Sequence, residues 1–176
     1  MKSDGSLFYE LGQYGPLLLI FLSMFLLWDT PKLFFFYMTG LFANSITTLV
    51  LKGSIQQPRP CFNTKEFQLA LKNNKMYMFK DGIPFDIFGM PSGHTSSVIF
   101  SAVFVYLSLK KTKWLYVYLP FSLLVMAQRV SYKYHTVPQV LAGAVVGTLV
   151  AFCAYNFAEK NLKGTIREKP DDYAPI

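Results

Sequence analysis

The stretch Leu33–Leu51 reads LFFFYMTGLFANSITTLVL, nineteen residues without a charge, and it ends on Lys52. A helix needs about 20 residues, with a lower limit near 17, to cross the hydrocarbon of a bilayer, so this run is a candidate span. Four further apolar runs lie around it: Gly15–Trp28, Ser92–Leu109, Trp114–Arg129 and Pro138–Phe157. A buried helix of a soluble protein would explain any one of them, but not five in a chain of 176 residues. Gly15–Trp28 is short for a crossing and has to borrow neighbours such as Leu11–Tyr14. Tyr14, Trp28, Trp114 and Tyr155 stand near run ends, where amphipathic rings settle at a membrane interface. The pattern predicts an all-α, polytopic membrane helix bundle with about five transmembrane helices.

Composition agrees. Hydrophobic residues make up 52% of the chain and charged ones 15%, against about 25% charge in a soluble domain. The net charge of +7 would suit nucleic acid, but the basic residues sit at the ends of apolar runs and in one loop. Membrane lipids and topology account for that placement, so no nucleic-acid partner is expected. Met1–Gln13 carries one lysine, two acids and no apolar core, which predicts a retained first anchor rather than a cleaved signal. The length suits a single membrane-embedded domain over 1–158, with a loop at 60–90 and a polar tail at 159–176. Cys61 and Cys153 form no metal motif and are expected near opposite faces, unbonded.

Three short motifs stand at the ends of these runs: Lys52, six residues, then Arg59-Pro60; Pro91-Ser92-Gly93-His94; and Arg129, five residues, then His135. They hold both histidines of the chain. If the runs are crossings, Lys52 and Arg59 follow the second, the loop stays on that side, His94 opens the third, and Arg129 and His135 follow the fourth. All three motifs then share one side. A phosphoester dianion is held by fixed cations and by backbone N–H groups at a helix start. Ser92 is a good N-cap, Gly93 lets an anion approach the backbone, and the prolines flanking Arg59 restrict it to extended backbone. Taken singly, each cation is better explained as an interfacial anchor, and Ser92 equally well as a plain cap. Two imidazoles beside such a cation set can attack phosphorus or protonate a leaving oxygen.

The three segments resemble the signature of the type 2 phosphatidic acid phosphatase superfamily, which includes bacterial lipid phosphatases, glucose-6-phosphatase and vanadium haloperoxidases. That signature is Lys-x6-Arg-Pro, Pro-Ser-Gly-His and Ser-Arg-x5-His-x3-Asp; here it reads Lys52-x6-Arg59-Pro60, Pro91-Ser92-Gly93-His94 and Gln128-Arg129-x5-His135-x3-Gln139. The resemblance covers about Leu33 to Phe157. It implies that His135 is a nucleophile forming a phosphohistidine, and that His94 is the general acid. Lys52, Arg59, Arg129, Ser92 and Gly93 would hold the phosphate. It implies no metal and no cofactor, a lipid phosphate as substrate, and a core like that of the haloperoxidases. The run Tyr134–Val140 is similar to the dolichyl-diphosphatase branch of the family, which suggests a polyprenyl diphosphate.

Two departures stand out. Gln128 replaces a serine, and Gln139 replaces the aspartate that orients the nucleophilic histidine. His135 and Gln139 are spaced i, i+4, so a glutamine oxygen could accept from His135 Nδ1. Equally, Thr136-x-x-Gln139 fits a capping box at the start of the last helix. Loss of the carboxylate also keeps open a second function, a lipid-phosphate binder or scaffold without turnover. In the loop, a helical turn is expected around Lys65–Leu71 and a hairpin over Met76–Phe88 with its turn at Asp81-Gly82. Gly143-x3-Gly147 marks either a homodimer face or close packing inside the bundle. The compact cluster Lys110, Lys111 and Lys113 is assigned to the cytoplasm, which places the motifs on the extracytoplasmic or lumenal side of a multi-pass protein.

Overall fold

The computed structural model describes residues 5–80 and 83–162, the side chains of 78–80 and 83–85 aside. Helix α1 spans Leu7–Leu27 and begins well before the first apolar run, because the Ser6 hydroxyl caps it by accepting from Tyr9 N at 3.2 Å. The first helix is therefore longer than the hydrophobic pattern indicated. Helix α2, Pro31–Ile55, starts on a proline whose missing N–H costs nothing there, and ends at Gln56 with φ 47°. Helix α4 spans Gly93–Leu109 and closes on Lys110 in the left-handed region, φ 52°. A 3-10 turn at Thr112–Trp114 leads into α5, Leu115–Ser131, and the last helix, α6, covers Val137–Leu162. Helix α6 thus continues through Glu159–Leu162, and the remainder of the expected polar tail lies outside the described residues.

Helix α4 is the centre of the bundle, packed by α6, α2, α1 and α5. Val98, Phe100, Phe104 and Val105 on it are fully buried, which is why the helix reads as apolar all round. Phe100, Phe104 and Tyr37 form an aromatic cluster with ring centroids 5.6–5.8 Å apart. Buried hydroxyls pair across helices: Tyr37 with Ser101 at 2.8 Å, Ser23 with Tyr118 at 2.7 Å, and Ser96 donates to Asn44 Oδ1 at 2.7 Å. Gly143 and Gly147 lie against the backbone carbonyls of Ser92 and Ser96, where a Cβ would collide. The Gly-x3-Gly face is thus used inside the bundle, seating α6 on α4. Gly12 likewise lies against Gln128, so α1 approaches α5 closely.

Outward-facing positions are apolar: Phe21, Phe25, Phe42, Leu123 and Leu149 are each more than half exposed. Together with helices α1, α2 and α6, which are long and apolar enough to cross a membrane, this describes an integral membrane protein. Helices α4 and α5 have 17 residues each, at the lower limit for a span. Between α2 and α4 lie the expected helical turn, α3 at Thr64–Lys72, capped by Asn63, and an antiparallel hairpin of β1, Tyr77–Lys80, and β2, Ile83–Asp86. The Asp81-Gly82 turn lies outside the described residues. Phe67 of α3 packs on Ile87 and Phe88 in a small second core that fastens this loop. Cys61 and Cys153 are both free and exposed.

Candidate active site

The site forms where the C-terminal ends of α2 and α5 meet the N-terminal ends of α4 and α6. Lys52 is in the last turn of α2 and Arg129 in the last turn of α5. Arg59 follows α2 in extended chain held by an isolated bridge between Pro58 and Phe88. All three cations are almost wholly buried, as is His135. Charges removed from water persist only when partnered, and the partners here are specific. Asp86 at the end of β2 accepts from Lys52 Nζ through Oδ1 at 2.9 Å and Oδ2 at 2.8 Å, and from Arg59 Nη2 at 3.1 Å. Its main-chain oxygen accepts from Arg59 Nε at 2.9 Å. Arg129 Nη1 donates to Gln13 Oε1 at 2.9 Å, and its guanidinium lies 4.1 Å from the centre of the Tyr134 ring. Buried Arg129 Nε has no partner among the described residues, so a donor is left over for an incoming anion.

His135 has its tautomer dictated by its neighbours. Nδ1 lies 2.8 Å from the Gly89 carbonyl, which can only accept, so Nδ1 carries the hydrogen. Nε2 lies 3.4 Å from Arg59 Nη1, which can only donate, so Nε2 holds the lone pair. Burial first, then the charges of Arg59, Arg129 and Lys52, push its pKa down to about 2. The ring is therefore neutral, with a free nitrogen facing the cations. His94, at the second position of α4, lies within electrostatic reach of Arg129, Arg59 and Lys52 and near the Gln13 backbone. The structure thus gathers both histidines and all three cations. Ser92 occupies the N-cap position of α4, yet its hydroxyl caps nothing and accepts instead from Thr95 Oγ1 at 3.1 Å. A Cβ on Gly93 would meet only a Thr48 methyl at 3.7 Å, so the backbone beside it is open.

Gln139 does not orient His135, contrary to one expectation; Gly89 O does. Instead Gln139 makes the capping box: its Oε1 accepts from Thr136 N at 3.1 Å, and its N donates to Thr136 Oγ1 at 3.4 Å. Its amide nitrogen donates to Gln57 Oε1 and to Pro58 O, both at 2.9 Å, and its carbonyl accepts from Ser92 N at 3.0 Å. One side chain and its backbone thereby join all three motifs. Gly89 lies flat against the Gln139 amide, where any Cβ would clash, and Gly89 N donates to Gln57 O at 2.7 Å.

The family model of the PAP2 superfamily matches residues 33–163. The chain belongs to the PAP2 superfamily. Among curated proteins this PAP2 member is similar to dolichyldiphosphatase 1 of Rhinolophus ferrumequinum, at 30% identity over 72% of this chain and 53% of that protein. It is 29% identical to dolichyldiphosphatase 1 of Homo sapiens and of Callithrix jacchus, with the same shares. The chain spans about half the length of the curated relatives it matches. No solved structure matches it. Helix α1 precedes the PAP2 match, yet it supplies Gln13 to Arg129.

Sequence reasoning missed Asp86, Gly89, Gln57 and Gln13. For Asp86 a signal exists: it is the one charge in the otherwise apolar run Ile83–Met90. Gly89, Gln57 and Gln13 have none, since they act through backbone or amide groups that leave no pattern.

Proposed function

We propose that this PAP2 member hydrolyses a lipid phosphate, in particular a polyprenyl diphosphate, through His135 without a metal. The observation that carries this reading is the His135 ring. Its Nδ1–H is tied to Gly89 O and its Nε2 lone pair lies beside Arg59 within the Lys52–Arg59–Arg129 set. Nε2 attacks the terminal phosphorus and the bond to the bridging oxygen breaks. His94 gives its proton to the departing lipid monophosphate. Water, giving a proton back to His94, then attacks the phosphohistidine, the N–P bond breaks, phosphate leaves and neutral His135 is restored. Positive charge developing on the ring is met by the Gly89 carbonyl, and the equatorial oxygens by the three cations. A departing phosphate needs less protonation than an alkoxide, which suits a diphosphate, and similarity to dolichyldiphosphatase 1 favours the same class.

The non-catalytic alternative was motivated by the absence of an aspartate at 139. Gly89 O supplies an orienting acceptor by another route, so that motive weakens. For topology, we place all five long helices across the bilayer, with the Lys110–Lys113 turn in the cytoplasm and the site on the extracytoplasmic or lumenal face.

The test is phosphate release from a long-chain polyprenyl diphosphate by purified full-length protein in detergent with EDTA. His135→Ala and His94→Ala are each expected to lose roughly a hundredfold or more, and terminally labelled substrate should leave acid-labile label on wild type only. Equal rates in the three proteins would remove His135 and His94 from the chemistry.

A further inference from the structure

The phosphate cations are already engaged, and by an anion of the chain itself. Both oxygens of Asp86 sit on Lys52 Nζ, and one of them also receives Arg59 Nη2. The other terminal nitrogen of that same guanidinium faces His135 Nε2. The carboxylate and the ring nitrogen therefore occupy neighbouring positions around one planar cation. The carboxylate oxygens hold the places that non-bridging oxygens of a bound phosphate would take on Lys52 and Arg59, and its phosphorus would then face the ring nitrogen. Asp86 belongs to none of the three motifs.

We propose that Asp86 is an internal counter-ion that fills part of the phosphate site at rest and sets a charge threshold for entry, excluding phosphodiester headgroups. This rests on the reading of Lys52, Arg59 and Arg129 as phosphate ligands. A site at a bilayer surface is bathed in phosphodiesters, each carrying one negative charge. Such a group offers Lys52 and Arg59 no more charge than the carboxylate it must displace. Asp86 has in addition the advantage of being tethered, at a high effective concentration. A phosphomonoester, or the end of a diphosphate, carries about −1.5 to −2 at neutral pH and so outcompetes the carboxylate. The main-chain bond from Arg59 Nε to Asp86 O does not involve the carboxylate. The side chain can therefore swing away while β2 stays fastened to Arg59.

The experiment measures binding of radiolabelled inorganic phosphate to purified full-length wild type, Asp86→Asn and Asp86→Ser in detergent at fixed pH and ionic strength. Both variants are expected to bind phosphate roughly tenfold more tightly than wild type, the scale of one charge-assisted contact. Phosphatidylglycerol in mixed micelles should displace phosphate from the variants and not from wild type. Equal or weaker phosphate binding by variants that unfold at the wild-type temperature would make Asp86 a support for Lys52 and Arg59 and overturn the proposal. A second measurement needs only wild type: dimethyl phosphate binding within tenfold of methyl phosphate overturns it, and weaker binding than that upholds it. Phosphate binding by none of the three proteins would instead reject the cation set as a phosphate site, and this proposal with it.

Discussion

Gln139 Nε2 donates to the carbonyl of Pro58 at 2.9 Å, tying the third residue of α6 to the residue immediately before Arg59. A carboxylate cannot make that bond. At position 139 it would face the oxygens of Gln57 and Pro58, two acceptors, in a place that is 1% exposed. The glutamine is therefore required by its surroundings, and restoring the family aspartate should harm the protein.

Gln139→Glu, which keeps the shape and removes the donor, is expected to lower stability by about 3 kcal/mol, since it places a charge at a buried position facing two acceptor oxygens. Gln139→Asp should be no better, and turnover should fall in both. Chemical unfolding in detergent and phosphate release measure the two effects. A gain of turnover in Gln139→Asp would contradict this account and mark the natural site as impaired.

Gly93→Ala separates folding from binding. The added methyl meets only Thr48 at ordinary contact distance, and alanine favours a helix by about 1 kcal/mol over glycine. The unfolding midpoint should hold or rise. Phosphate affinity should fall by roughly tenfold, because the methyl stands where an anion would approach the start of α4. Unchanged affinity would remove the Gly93 backbone from the site.

Acid stability reads out His135. The unfolded imidazole titrates near 6.5, while the folded one stays neutral down to about 2. Between those values the unfolded chain binds the proton and the folded chain does not, so this group costs stability as pH falls below about 6.5. The loss approaches about 1.4 kcal/mol for each pH unit. His135→Gln should flatten that part of the unfolding profile by a similar slope. Equal slopes would mean the ring is not buried as described.

Gly147→Ala inserts a methyl against the Ser96 carbonyl, a backbone atom that cannot move aside. Overpacking of this kind costs about 1–3 kcal/mol. Thermal unfolding in detergent should show the loss, and an exposed control such as Leu149→Ala should not.

The helices and the clustering of the motifs were legible because hydrophobic runs and fixed spacings are local signals. Leu33–Leu51, Ser92–Leu109 and Pro138–Phe157 each became a helix, and the helical turn at α3 and the two hairpin strands lie where the loop's pattern placed them. The start of α1 was not legible from hydropathy, since Leu7–Tyr14 is helical through its Ser6 cap and its packing on α5. The site's supports were hidden for a different reason. Asp86 reaches Lys52 across 34 residues, Gly89 reaches His135 across 46, and Gln13 reaches Arg129 across 116. Only the fold brings such pairs together. The capping box at Thr136–Gln139 was visible as a pattern, but the same glutamine's second set of bonds was not.

The seating of Gly143 and Gly147 on the backbone of α4 has a mechanical consequence. With no side chain between them, those two rods cannot slide or part without breaking contact along their length, so the spacing of His94 and His135 is fixed. Room for a bulky headgroup then has to come from the wall that carries Gln57–Arg59 and Asp86–Gly89, whose fastenings include the ion pairs of Asp86, the bonds of Gln139 to Gln57 and Pro58, and the Phe67–Ile87–Phe88 cluster.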